Sequence, residues 1–221
     1  MTLISRIGTD SRGERMLAFL KNSGIETALL QTDQALPTGT VAVDIRADGQ
    51  PAYTIHTNTA WDALEAPPES IRAARDCSAI CFGSLAQRDP RARASVLKIV
   101  ASAPPGALRV FDANLRQDYH TPENLDASMQ LSNLLKVNEE EFPVLAGAAG
   151  VCGELHTAVP ALFKKYPLRL IAITRGKDGS TLFSPGTRSD QPAPRISVAD
   201  TVGAGDAFTA ALVTGLLRGR Q

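Results

Sequence analysis

Asp200-Thr201-Val202-Gly203-Ala204-Gly205-Asp206-Ala207-Phe208 leads into an apolar run that ends near Leu217. The pattern predicts a last helix over Ala207 to Leu217, with two glycines and a carboxylate at its mouth. A helix start leaves its first backbone N–H groups without partners. With the helix dipole, those groups make an anion site. Gly203 and Gly205 carry no Cβ, so backbone there can approach a bound phosphate closely, and Ala204 is the next smallest choice. Asp206 falls in the first turn, where a carboxylate can accept a proton from an attacking hydroxyl. A bare turn, with Asp206 only complementing the dipole, would use the same residue types.

Two other phosphate motifs can be tested directly. The Gly176-Lys177 pair is followed by Asp178, and Ile171 stands where a P-loop needs its first glycine, so that motif is absent. A dinucleotide fingerprint starting at Gly203 would need a third glycine where Phe208 stands.

The 221 residues are 43% hydrophobic and 21% charged, with a formal net charge of zero. That suits one sizeable globular core and gives no broad pull toward nucleic acid or anionic lipid. Cys77, Cys81 and Cys152 form no C-x-x-C pair, a sparse usage that fits reduced thiols and a cytoplasmic setting. His56, His120 and His156 lack zinc-ligand spacing. No apolar run reaches membrane-spanning length, and the first residues lack a signal-peptide pattern.

Strand-like and helix-like segments alternate, which predicts an α/β domain with a largely parallel sheet. Strands are expected at Thr27–Gln31, Ala79–Phe82, Arg109–Phe111, Leu134–Val137, Leu170–Thr174, Thr181–Phe183 and Ile196–Val198. Helices are expected over residues 10–22, with Met16, Leu17, Phe19 and Leu20 as the apolar stripe, and near 90–102, 122–132, 139–147 and 155–165. Pro67-Pro68 and Pro104-Pro105 read as loops. Thr40–Ile45 and Ala52–His56 flank Asp48-Gly49, a hairpin signal, and Val41, Val43 and Ile45 share one face.

The nonapeptide D-T-V-G-A-G-D-A-F resembles the C-terminal signature of the ribokinase-like (PfkB) carbohydrate kinases. The resemblance implies that Asp206 is the catalytic base and that backbone from Gly203 through Ala204 and Gly205 to Asp206 forms an anion hole for the γ-phosphoryl group. Further strings match in order. Arg6-Ile7-Gly8-Thr9-Asp10, with Gly13, resembles an R-x-G-x-D-x-x-G segment, although Asp10 also reads as an ordinary helix cap. Phe82-Gly83-Ser84-Leu85-Ala86 resembles a loop near the sugar. Phe111-Asp112-Ala113-Asn114-Leu115-Arg116 resembles an F-D-x-N-x-R strand end, with Asn114 and Arg116 placed for substrate or phosphate contact, or for a turn and a loop salt bridge. Asn138 and Glu141 form an N-x-x-E motif that supports the Mg²⁺–phosphate site in the family, and the pair also suits a helix cap. Thr174, Gly176 and Gly179 match a turn that lines the nucleotide.

The resemblance implies a ribokinase-like three-layer α/β/α domain with a mostly parallel central sheet, and a β-hairpin lid over residues 36–58. ATP is the implied co-substrate and Mg²⁺ the implied metal. Many relatives bind a monovalent cation beside the anion hole. This chain carries the first part of that region, Asp200-Thr201, but not the later loop. Expected partners are a sugar and ATP, with a homodimer through the hairpin and no nucleic acid or membrane. Fructose is the first substrate expectation, because F-G-S-L-A and F-D-A-N-L-R-Q resemble the fructokinase-type branch; 2-keto-3-deoxygluconate and ribose stay open. Against the family pattern both ends are short: the G-G-x-x-x-N sugar segment and the terminal adenine-flanking elements have no counterpart. The expectation is a single incomplete kinase domain over 1–221. It is either an active sugar kinase or a non-catalytic remnant that binds nucleotide weakly or self-associates.

Overall fold

Apolar strand runs bounded by Pro- and Gly-rich loops give ten strands and seven helices among the described residues, in a computed structural model that describes residues 1–45, 51–194 and 201–219. In chain order these are β1 (Ser5–Gly8), α1 (Ser11–Asn22), β2 (Leu30–Asp33), β3 (Val41–Ile45), β4 (Pro51–Ile55), α2 (Pro68–Arg75), β5 (Ala79–Phe82) and α3 (Pro90–Ala101). They continue with β6 (Leu108–Asp112), α4 (Pro122–Leu131), β7 (Leu134–Asn138), α5 (Glu141–Ala148), α6 (Leu155–Lys165), β8 (Leu170–Thr174), β9 (Ser180–Ser184), β10 (Thr187–Gln191) and α7 (Ala204–Leu217). The chain divides into two units, residues 1–73 with 86–99, and residues 74–85 with 100–221.

In the first unit β1 and β2 pair in parallel, from Ser5 opposite Leu30 to Gly8 opposite Asp33. Asp10 caps α1, its Oδ1 accepting from the N–H of Arg12 at 3.0 Å and of Gly13 at 2.9 Å. Its Oδ2 accepts from Thr38 N–H at 2.8 Å. These donors, those of Thr38 and Gly13 foremost, hold the Asp10 carboxyl down at about 2. Arg6 pairs with Asp33 at 2.8 Å. The R-x-G-x-D segment is thus explained by the strand–helix turn it builds.

The β3–β4 hairpin pairs Val41 with Ile55 and Val43 with Tyr53. Val41, Val43 and Tyr53 are each about half exposed. Below the hairpin Arg88 forms a two-pronged ion pair with Asp62, at 2.7 and 2.8 Å, and donates to the His56 carbonyl at 2.6 Å. Its guanidinium also lies 3.9 Å from the Trp61 ring centroid.

The second unit is built on a six-stranded sheet in the order β10-β9-β8-β7-β6-β5. Strands β5 to β8 run parallel, and β9 and β10 are antiparallel additions. Strand alternation divides the apolar residues between two faces. Phe111, Leu135, Val137, Ile171 and Ile173 pack with Leu125 and Met129 of α4, Phe142 and Leu145 of α5 and Leu162 of α6. Val110 and Leu134 face the other way and meet Val213, Leu212 and Leu216 of α7. Helices on both faces of one sheet make three layers in this unit.

Several expectations need correction. The strand expected at Thr27–Gln31 lies at Leu30–Asp33, and β1 was not anticipated. In α1 Leu20 is buried, but Met16 and Phe19 are exposed, so the expected stripe is not the buried face. Pro68 opens α2 instead of a loop, since proline suits a first helical position. Helix α7 begins at Ala204, three residues before the expected start. Asp48-Gly49, Ile196–Val198 and Asp200 lie outside the described residues. Among the described residues no helix is long and apolar enough to cross a membrane.

Candidate active site

Parallel pairing brings the C-terminal ends of three strands side by side. Asp112 stands opposite Lys136, and Asn138 opposite Thr174. Loops leaving such strand ends are where open α/β sheets bind ligands. The loop after β6 carries Asn114 and Arg116, β7 ends at Asn138, and the loop after β8 carries Gly176 and Gly179.

The start of α7 belongs to the same unit. Gly203 is its cap residue in the left-handed region, φ 78°, a conformation that a Cβ would disfavour. Gly205 is already helical. Its missing Cβ would stand 3.1 Å from Lys136 Nζ, so the backbone of this turn lies close against the lysine. The Ala204 N–H is committed to the Thr201 carbonyl at 3.2 Å, and Ala207 closes the first helical bond onto Gly203 at 2.8 Å. The N–H groups of Gly205 and Asp206 lie in the first turn, where a helix leaves its donors without intrahelical partners. Asp206 shares their turn and is exposed. An anion at this helix start would therefore lie beside a carboxylate open to solvent.

Asn138 and Glu141 lock onto each other. Asn138 Oδ1 accepts from Glu141 N–H at 2.7 Å, and Glu141 Oε2 accepts from Asn138 N–H at 2.8 Å. This is the reciprocal arrangement of a capping box. Glu141 Oε1 accepts from Leu115 N–H at 2.8 Å, so one buried carboxylate joins the start of α5 to the loop after β6. That loop places Asn114 at φ 40°, a region asparagine tolerates better than most residues. Arg116 is exposed and forms no ion pair among the described residues. Thr174 Oγ1 lies 3.4 Å from the Val137 carbonyl. Gly176 and Gly179 both have positive φ, and a Cβ on Gly179 would collide with the Gln191 carbonyl.

With respect to a divalent cation, both Glu141 oxygens already accept a backbone N–H. Their remaining lone pairs suit metal-bound water better than direct ligation, and Mg²⁺ keeps several waters in nucleotide sites. No cluster of three or more His, Cys, Asp or Glu side chains could hold a metal among the described residues. A cleft of about 560 Å³ lies between α5, α6 and the end of β8, lined by Glu139, Phe142, Ala146, Val151, Ile173 and Arg175. None of the expected site residues lines it.

One group was not assigned a role from sequence. Lys136 Nζ donates to Asp112 Oδ1 at 3.0 Å, and Thr209 Oγ1 donates to Asp112 Oδ2 at 2.7 Å. Lys136 and Thr209 are each 6% exposed. A lysine inside the otherwise apolar run Leu134-Leu135-Lys136-Val137 was the available signal, since lysine is rarely buried without a partner.

Comparison with known proteins agrees with this architecture. The profile of the pfkB family of carbohydrate kinases matches residues 1–221. A fructokinase from Escherichia coli is 27% identical over 219 residues, covering 96% of this chain and 70% of that protein. The structure of a sugar kinase from Pyrococcus horikoshii in complex with ATP superposes with a TM-score of 0.80 at 27% identity, covering 98% of this chain and 69% of that one. Aminoimidazole riboside kinase from Salmonella enterica, complexed with aminoimidazole riboside and an ATP analogue, gives 0.79 at 26%, covering 98% and 71%.

Proposed function

The chain belongs to the pfkB family of carbohydrate kinases and has the ribokinase-like fold, and from that premise we propose that it transfers the γ-phosphoryl group of ATP to a sugar hydroxyl. The observation that carries this reading is the start of α7, where a left-handed Gly203 cap, the first-turn N–H groups and Asp206 come together. The hydroxyl oxygen attacks the γ-phosphorus, the bond to the β-phosphate oxygen breaks, and Asp206 takes the hydroxyl proton. The N–H groups of Gly205 and Asp206 receive the charge that builds on the transferring group. Such transfer depends mainly on positioning and electrostatics. This places the demand on the backbone of Gly203, Ala204 and Gly205.

Thr174, Gly176 and Gly179 are the proposed nucleotide turn, and Asn138 holds the start of α5 beside it. Asn114 and Arg116 are the substrate-side or phosphate contacts, and the exposed guanidinium of Arg116 supports that role. When bound with the nucleotide, Mg²⁺ would neutralise phosphate charge, with Glu141 meeting one of its waters. The β3–β4 hairpin would act as a lid that excludes water during transfer, and its exposed Val41, Val43 and Tyr53 suit a second copy. Fructose is the first acceptor proposed, supported by the fructokinase relative. The riboside kinase likeness keeps other sugars in the panel.

The test is ADP release from Mg²⁺-ATP with fructose, 2-keto-3-deoxygluconate, ribose and aminoimidazole riboside in turn. Sugar-dependent ADP release supports the reading. A folded protein with no turnover on any of them is instead a non-catalytic member.

A further inference from the structure

We propose that Asp112, Lys136 and Thr209 form a buried pin whose task is to hold the first turns of α7 in register with the sheet, making all three positioning residues for Asp206 and the N–H groups of the first turn. The inference rests on the reading of α7 as the reacting end of the site. Thr209 stands one turn beyond Gly205 and Asp206. Its single hydroxyl proton has two acceptors in range, Asp112 Oδ2 at 2.7 Å and the Gly205 carbonyl at 3.1 Å. The closer, charged acceptor takes it. This bond spans 97 residues of sequence and connects α7 to the end of β6. The other oxygen of Asp112 is held by Lys136 on the neighbouring strand, so the carboxylate cannot swing with the helix.

Apolar packing alone would not fix the register of this turn. The side chains that pack α7 against the other face of the sheet are Val213, with Leu212 and Leu216, and they begin about one turn beyond Thr209. Hydrophobic contact is non-directional. The helix start itself is exposed at Ala204, Asp206 and Ala207. A buried ion pair often adds little stability compared with apolar residues of the same volume. Directional control of a helix end gives it a use that stability does not. The backbone of Gly205 lies against the same device, since a Cβ there would stand 3.1 Å from Lys136 Nζ.

The experiment compares Thr209→Val, which removes the hydroxyl and keeps the shape, with Thr209→Ser, which keeps the hydroxyl. Amide hydrogen exchange over residues 207–211 is measured together with steady-state kinetics. In Thr209→Val exchange there rises about tenfold, as expected for losing a hydrogen bond to a charged group. The same variant loses about tenfold in kcat while KM for ATP holds. Thr209→Ser restores both. Unchanged exchange in the valine variant overturns the pin whatever the activity. Faster exchange with unchanged kcat overturns its positioning role, as does a serine variant that behaves like valine. A wild-type protein without sugar-dependent turnover defeats the kinase reading instead, and the exchange comparison still decides whether the pin exists.

Discussion

Replacing Glu141 with glutamine keeps the side chain's shape but removes one of its two acceptors. Both oxygens take a backbone N–H at 2.8 Å, from Leu115 and from Asn138, and the residue is 7% exposed. A hydrogen bond to a charged group contributes about 1.5–3 kcal/mol. Glutamine can satisfy one N–H, but turns its own NH₂ toward the other, so the expected loss is about 2 kcal/mol. For a chain of this length that lowers Tm by roughly 4–8 °C. Glu141→Ala leaves both N–H groups unanswered and should cost about twice as much. The assay is thermal unfolding in EDTA without nucleotide, so that no metal contribution enters. A glutamine variant melting within about 1 °C of wild type would refute the cap reasoning. If that variant then differed only in its Mg²⁺ dependence with ATP, Glu141 would be a metal-site residue instead of a structural joint.

Two further outcomes follow from the first unit. Arg88→Ala leaves the Asp62 carboxylate, 5% exposed, buried without its cation, and should lower stability to urea by about 3–5 kcal/mol; a loss under about 1 kcal/mol would mean that water replaces the guanidinium. Burial raises the Asp62 carboxyl, but the Arg88 and Thr59 donors outweigh this and hold it below its usual value. Asp10 is held down at about 2 from an ordinary 3.8. Its contribution is therefore complete above the ordinary value and is lost as pH falls toward about 2. Urea midpoints measured from pH 5 to pH 2 should fall less steeply for Asp10→Asn than for wild type, and parallel curves would contradict the assignment.

Local pattern gave much of the sheet, because buried parallel strands carry apolar runs. Ala79–Phe82 and Leu170–Thr174 match β5 and β8 in full. Strand β10 carries Thr-Arg-Ser-Asp-Gln, exposed throughout, so no hydrophobic alternation marks it and only its pairing with β9 reveals it. In α1 the apolar residues outnumber the buried positions, which is why the stripe misled. The N-x-x-E motif was legible as a cap, but its bond to Leu115 was not, since that contact joins a helix start to a loop 26 residues away. The bond from Thr209 to Asp112 was hidden for the same reason, at 97 residues. A buried charge reports only that a partner exists.

The central claim is that Asp206 accepts the proton in a transfer organised by the start of α7. Wild type and Asp206→Asn should be compared in ADP release with the accepted sugar, alongside ATP binding by calorimetry. The account predicts that kcat falls about 10²–10⁴-fold while ATP affinity stays within about twofold. An asparagine variant that turns over sugar at the wild-type rate would contradict it.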